Sequence, residues 1–287
     1  VGTLFLVATP IGNRGDISPR AVETLRSVDL IAAEDTRHTG RLLDYLNIKR
    51  PLLSYHQLNE RSRREELLAA LAKGDVAIVS DAGTPGISDP GFDIVTSAIR
   101  AGHRVSPVPG PSAVMAAVSA SGLVEGSFCY QGFLPRKGGE RRRAMTQAAA
   151  RGAPVVIFEA ANRLVRTLGD LHESMGERQV AVARELTKLH EEIVRGSFDE
   201  VAARFEHVPP RGEIVIVVGP RVREPGAGEE DDIESLMRSL LRDGLSPTAA
   251  AREASAIAGI PRREAYRQIQ RLTERASDSQ PPANTKG

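Results

Sequence analysis

Short apolar runs alternate with helix-period segments along most of this chain, and Gly- and Pro-rich loops mark the changeovers. LFLVA at residues 4–8 is followed by a helical stretch at 19–27 and by LIAAED at 30–35. An Arg- and Glu-rich helix is expected at 60–73, then VAIVSD at 76–81, a helix at 91–101 and the run VSPVPG at 105–110. A run as uniformly apolar as VAIVS suits a parallel strand buried on both faces. Strand and helix alternating in this way build a parallel sheet with crossover helices. Ser18-Pro19 has the form of an N-cap followed by a first-turn proline, and Gly74 and Gly102 stand where helix ends favour glycine. The expected fold class is α/β.

The rhythm continues after Gly110-Pro111, where the small-residue helix SAVMAAVSASGL leads into FCYQGF, PVVIFE, VAVARE, EEIVRGS and EIVIVV. Helices are expected between some of these runs, at 140–150, 163–174 and 198–205. Other connections are short, which implies a mixed sheet. At 287 residues and about 150 per domain, the chain has room for two α/β domains, expected at 1–110 and 111–222. The acid-rich REPGAGEEDD at 223–232 reads as a linker. A helical module is expected at 233–275, and ASDSQPPANTKG at 276–287 as a disordered tail.

Lys plus Arg number 38 against 37 Asp plus Glu, and 41% of residues are hydrophobic, which excludes a disordered polyelectrolyte. Any nucleic-acid surface must therefore be a local patch. The single cysteine, Cys129, can form neither an intrachain disulfide nor a thiolate zinc cluster, so a reducing, cytoplasmic setting is expected. No apolar run approaches the roughly 18 residues of a membrane span, and the opening VGTLFLVATPIG lacks the basic flank of a signal peptide. With aromatic residues at 4% and no tryptophan, rows of base-stacking rings are disfavoured.

The densest motif is SDAGTPGISDPG at 80–91, between an apolar strand and a helix. An acid at the strand end (Asp81), glycines that allow close backbone approach (Gly83, Gly86), stiffening prolines (Pro85, Pro90) and small hydroxyls (Thr84, Ser88) stand together. In open α/β sheets ligands bind outside the carboxyl ends of the strands. ATPIGN at 8–13 and PVPGPSA at 107–113 share this character, and parallel topology puts all three loops at one sheet edge. They outline a pocket of backbone groups with few charges, suited to an adenosine-bearing ligand. The order GxGxxG is absent, as are GxxxxGK[ST] and GxSxG, against a dinucleotide fold, a P-loop and an α/β-hydrolase.

TPIGN, EDTRHT at 34–39, SDAGTPGISDPG, PVPGPSA and GFLPRKGGER at 132–141 together resemble the signature of small-subunit ribosomal RNA methyltransferases in the tetrapyrrole-methylase superfamily, class III S-adenosylmethionine enzymes. The resemblance spans about residues 4–219. It implies two α/β domains of the tetrapyrrole-methylase type with the cofactor cleft between them. It also implies a homodimer, and methylation of a cytidine ribose 2′-hydroxyl in the decoding region of 16S rRNA, as free RNA or in the 30S subunit. Carried over by position, Pro10 and Ile11 lie near S-adenosylmethionine, Asp81, Ala82, Gly83, Thr84, Pro85, Gly86 and Ile87 wrap it, and Ser112 and Ala113 touch it. On the second domain Phe133, Leu134, Glu159, Ala160, Gly212, Glu213 and Ile214 align with cofactor-side positions. ATPIGN replaces the glycine-rich first loop of porphyrin-type relatives, which favours the RNA-modifying branch.

Methyl transfer to a ribose hydroxyl needs positioning and help with a weakly acidic proton. Glu34, Asp35 and Arg37 follow a strand at the ligand edge and are the catalytic candidates. Asp35 also reads as a plain helix cap with Arg37 in solvent. Glu34 and His38 have metal-ligand spacing but no third ligand in view, so no metal is expected. His56 and Asn59 form a polar cluster with the character of loop hydrogen-bonders. PRKGGERRR at 135–143 carries Arg136, Lys137, Arg141, Arg142 and Arg143 against one acid, a candidate for capturing RNA phosphates or simply a solvated face. Arg61, Arg63 and Arg64 are a second basic cluster, tempered by Glu65 and Glu66. SPTAAAREASAIAGIPRREAYRQIQRL resembles a helix-turn-helix that could touch rRNA or ribosomal protein, or only pack on the enzyme. A tetrapyrrole methyltransferase shares the pocket but needs neither basic segment. A non-enzymatic nucleic-acid binder leaves the three loops unexplained.

Overall fold

The computed structural model describes residues 2–136, 138–207, 210, 212–221 and 229–278. Lys137, residues 223–228 of the expected linker and 279–287 of the expected tail lie outside the described residues.

The first half is one parallel sheet. Strands β1 (Thr3–Val7), β2 (Leu30–Ala33), β3 (Leu52–Ser54), β4 (Val76–Val79) and β5 (Arg104–Val108) pair in the order β3-β2-β4-β1-β5. Helices α1 (Pro19–Ser27), α2 (Thr36–Tyr45), α3 (Glu60–Leu71) and α4 (Phe92–Arg100) make the crossovers. Ser18 caps α1 by accepting from the Ala21 amide. β4 shows why its sequence is uniformly apolar. Ala77 and Val79 pack with Ala21, Leu25 and Ile31 on one face, while Val76 and Ile78 pack with Leu67, Leu71 and Ile94 on the other. β3 has no counterpart in the sequence reading, because three residues on a sheet edge carry too little periodicity to register.

The second half is a mixed sheet of β6 (Cys129–Phe133), β7 (Val155–Ala160), β8 (Gln179–Arg184), β9 (Glu192–Ser197) and β10 (Glu213–Val218), in the order β6-β7-β10-β8-β9. β6 runs parallel to β7, and the remaining pairs are antiparallel. Helices α6 (Gly138–Ala150), α7 (Leu164–Met175) and α8 (Phe198–His207) bury one face through Met145, Leu168 and Val201 against Val155, Ile157 and Ile216. Helix α5 (Ala113–Ser121) covers the other face, where Val114 and Ala117 meet Val156, Ala181 and Val215. Ile11, from the loop after β1, enters this second cluster and ties the halves together.

Three C-terminal helices, α9 (Glu229–Arg242), α10 (Pro247–Ala258) and α11 (Arg262–Asp278), share a small core of Leu236, Met237, Leu240, Ala250, Ala254, Ala265 and Ile269. This unit docks on α6, where Thr146 Oγ1 donates to Asp243 Oδ2 at 2.7 Å and Gln147 Nε2 to Glu253 Oε1 at 2.8 Å. Helix α9 starts at Glu229, inside the expected linker. Helix α11 runs on through Asp278, past the expected start of the tail at 276. No helix among the described residues is long and apolar enough to cross a membrane.

Candidate active site

β4, β1 and β5 are neighbours in a parallel sheet, so the loops that follow them leave from one edge side by side. Hydrogen bonds hold them there. Thr9 and Gly83 exchange both backbone bonds, at 2.9 and 3.0 Å, and Thr9 Oγ1 donates to the Ser80 carbonyl at 3.1 Å. Thr84 Oγ1 reaches the Pro111 carbonyl at 3.3 Å, bringing in the third loop. Gly83 has φ +82°, a left-handed conformation that suits glycine, and so does Gly86. Ser112 caps α5 at the end of the third loop.

The opposite wall comes from the second sheet. Antiparallel register sets Ile214 against Glu159 and Glu213 against Ala160, so the end of β7 and the start of β10 present one surface. A bulge in β6 between Tyr130 and Gly132 brings Tyr130 Oη to 2.5 Å from Ser88 Oγ across the gap. Asn13 N donates to Thr187 Oγ1 at 3.0 Å, a second tie between the halves.

These walls enclose a cleft of about 500 Å³. Of the residues expected around a cofactor, Ile11, Asp81, Ala82, Gly83, Thr84, Ile87, Ser112 and Ala113 line it from the first wall, and Phe133, Glu159, Ala160, Gly212, Glu213 and Ile214 from the second. Pro10 faces an adjoining cavity, Pro85 and Gly86 belong to the loop but not to the lining, and Leu134 is buried in the core under α6 and α7. Leu134 is displaced because side chains alternate along an extended chain and Phe133 takes the cleft side. The Glu159 carboxylate is spent on structure. It accepts from Thr167 Oγ1 at 2.7 Å, pairs with Arg163 at 2.5 Å and accepts from the Ala160 amide at 2.7 Å.

The catalytic candidates separate. Asp35 is the N-cap of α2, accepting from the Arg37 amide at 2.8 Å and the His38 amide at 3.4 Å, and the Arg37 guanidinium folds back on it at 2.8 Å. That neighbour holds the Asp35 carboxyl far below the usual carboxylate range. The pair forms a helix start, with Arg37 in solvent and neither residue in the cleft lining. Glu34, one residue earlier, does line the cleft. Burial and the nearby Asp81 carboxylate raise its pKa. Asp89, not singled out from sequence, joins it. Burial first, then the Glu34 and Asp81 charges, push the Asp89 carboxyl up to about 6. Its signal lay in the SDPG end of the long loop, but only the folded loop brings it to the acids of β2 and β4.

The basic segment is also sorted by the fold. Helix α6 starts at Gly138, so Arg141 points inward, donating to Asp170 Oδ2 at 3.0 and 2.8 Å and to Thr167 Oγ1 at 3.0 Å. Arg141 is thus a buried tie between α6 and α7, a correction to its expected place on an RNA surface. Arg136, Arg142 and Arg143 are exposed. In the α3 cluster Arg64 is committed to Asp93 and Arg63 to Glu66. Among the described residues no three His, Cys, Asp or Glu side chains gather as metal ligands would.

A parallel α/β half and a mixed α/β half facing each other across a cleft of strand-end loops define a methylase architecture. Residues 3–202 match the sequence profile of the tetrapyrrole (corrin/porphyrin) methylases, and the chain belongs to that family. Within it, similarity runs to proteins named ribosomal RNA small subunit methyltransferase I. The one from Synechocystis sp. is 45% identical over 269 residues, 93% of this chain and 96% of the relative. The one from Thermotoga maritima is 49% identical over 219 residues, 76% of this chain and 98% of the relative. Among solved structures, uroporphyrin-III C-methyltransferase from Thermus thermophilus, complexed with S-adenyl homocysteine, is similar at a TM-score of 0.54 and 20% identity, over 76% of this chain and 97% of that one.

Proposed function

We propose that this chain transfers a methyl group from S-adenosylmethionine to small-subunit ribosomal RNA, at the ribose 2′-hydroxyl of a cytidine in the decoding region. The observation that carries the cofactor is the chemistry of the cleft. Among the described residues its lining has acids (Glu34, Asp81, Asp89, Glu213, and Glu159, which is paired with Arg163) and no Lys or Arg, which suits a ligand bearing a sulfonium and an ammonium. Ile87 and Phe133, 46% and 58% exposed at the cleft, offer apolar surface for a purine to cover. The substrate reading rests on the relatives' names, on similarity along nearly the whole chain, and on the exposed Arg136, Arg142 and Arg143 just past Phe133.

When bound, the cofactor supplies a methyl group on positively charged sulfur, open to in-line displacement. The three stitched loops would hold it in one orientation, and the opposite wall would exclude water. Asp89 and Glu34, with raised pKa values, stand ready to take the proton that the hydroxyl loses. A cytoplasmic location accords with this substrate and with the single free cysteine. A homodimer would cover Phe92 and Ile99, both exposed and seven residues apart on α4.

The test is methyl transfer from labelled S-adenosylmethionine to 30S subunits, naked rRNA and a precorrin-type substrate in parallel. Label is expected in RNA, within a dinucleotide that resists alkali because its 2′-oxygen is blocked. Label in the precorrin alone would assign the cleft to a tetrapyrrole.

A further inference from the structure

A second cavity, of about 330 Å³, backs onto the cofactor cleft. Ile11, Asp81, Ala82 and Glu213 line both spaces and form the wall between them. The far side is different in charge: Arg14, His38, Arg41 and Lys188 line it. The dividing wall thus presents Asp81 and Glu213 to both spaces, and only the adjoining space adds Arg14, Arg41 and Lys188 to them.

Each cation is placed by the fold. Arg14 opens the Asn13-capped turn after β1, and its guanidinium lies 4.8 Å above the Tyr45 ring. Arg41 stands one turn beyond Arg37 on α2. Neither Arg14 nor Arg41 has a carboxylate partner among the described residues, in contrast to the paired Arg37 and Arg64. Lys188 sits in the connection between β8 and β9, anchored to Glu185 at 3.0 Å and Glu213 at 3.3 Å. That connection is strained, with Glu185 at φ +50° and Thr187 at φ +66° although neither is glycine. It also closes tightly on the first half: a Cβ at Gly12 would lie 2.5 Å from Lys188 Cγ and 3.0 Å from the Leu186 carbonyl oxygen. A strained turn pressed against a glycine is a costly way to join two strands and a reasonable way to hold a lysine at a site.

We propose that this cavity receives backbone phosphate of the RNA strand next to the methyl-accepting nucleotide, with Arg14 and Arg41 as the groups that grip it. The proposal rests on the ribosomal RNA reading and deepens it. Unpaired guanidiniums match phosphodiester oxygens in charge and donor geometry. A phosphate held one wall away from the cofactor would place the adjacent ribose at the cleft, and the cofactor space, whose lining among the described residues has acids and no Lys or Arg, would not compete for it.

The full-length R14Q/R41Q double variant, with R14K/R41K as its charge-preserving control, tests this with 30S subunits as substrate. Expected results are a KM for RNA raised roughly tenfold at low salt, and a log-log salt slope shallower by about 0.7–0.9 for each phosphate no longer neutralised. S-adenosylmethionine affinity should be unchanged, and the lysine variant should recover most of the salt slope. An RNA KM and slope equal to wild type would overturn the proposal, as would a parallel loss of cofactor affinity, which would put the arginines in the cofactor site. A wild-type protein that labels no RNA would overturn the rRNA reading and this proposal together. A labelling wild type with an indifferent double variant would overturn this one alone.

Discussion

Asp89 concentrates the chemistry of the cleft in one side chain. Its carboxyl titrates at about 6, against a usual 3.8, because ionising it means adding charge to a half-buried site beside Glu34 and Asp81. Its folded-state pKa is raised, so its contribution to stability is fully present below about pH 4 and is lost as pH rises to about 6. Asp89→Asn removes that loss and should stabilise the protein above pH 6 by about 1–2 kcal/mol, allowing for solvent screening, and should leave it unchanged near pH 4. Thermal melts across pH 4–8 check this. If Asp89 is the proton acceptor, the same variant lowers kcat by about 10²–10⁴-fold and removes an acid limb near pH 6 from the rate profile. A Gly83→Val substitution belongs to the same scale. A β-branched residue at φ +82° is strained, and its Cβ would already stand 3.5 Å from Ile11 Cγ2 in the cleft lining. Calorimetry should show S-adenosylmethionine affinity falling sharply, and wild-type affinity would remove this loop from the site.

Among the elements, α6 links cofactor lip, basic face and C-terminal helices. Its start at Gly138 sends Arg141 inward and leaves Arg142 and Arg143 outward. The two kinds of arginine should therefore fail in different ways. Arg141→Ala strands part of the Asp170 charge and should cost about 2–3 kcal/mol in denaturant melts. R142A/R143A should leave the melt unchanged and make the salt dependence of RNA binding shallower by about 0.7–0.9 per phosphate released. An unchanged slope would make that face merely solvated. Helix α11 carries a comparable surface: Arg262, Arg263, Arg267 and Arg271 are exposed around Tyr266, while Ala265 and Ile269 face the module core.

For the whole molecule, two halves that share the cluster of Ile11, Val114, Val156 and Val215 should unfold together. The C-terminal helices have a core of their own and meet the rest mainly along α6. With a separate core, they should exchange amide hydrogens earlier than the two halves. Sedimentation at micromolar concentration is expected to show a dimer, and F92E/I99E to shift it towards monomer. A wild-type monomer would leave the apolar face of α4 without the covering proposed for it.

The alternation of apolar runs and helix signals was enough for an α/β chain in two halves, since burial on both faces writes itself into a strand such as VAIV. The three Gly- and Pro-rich loops were legible for a similar local reason, because turns with unusual backbone angles demand unusual residues. Side-chain direction was not local. The sequence Glu34-Asp35-Thr36-Arg37 looks like one charged unit, yet a helix cap takes Asp35 and Arg37 and leaves Glu34 to the cleft. Five cations in PRKGGERRR look equivalent until a helix phase buries Arg141. Asp89 meets Glu34 only because β4 lies beside β2, and Arg14 shares a cavity with Lys188 across the boundary between halves. Elements answer to short-range pattern, whereas a site is an agreement between distant segments that packing alone brings within reach.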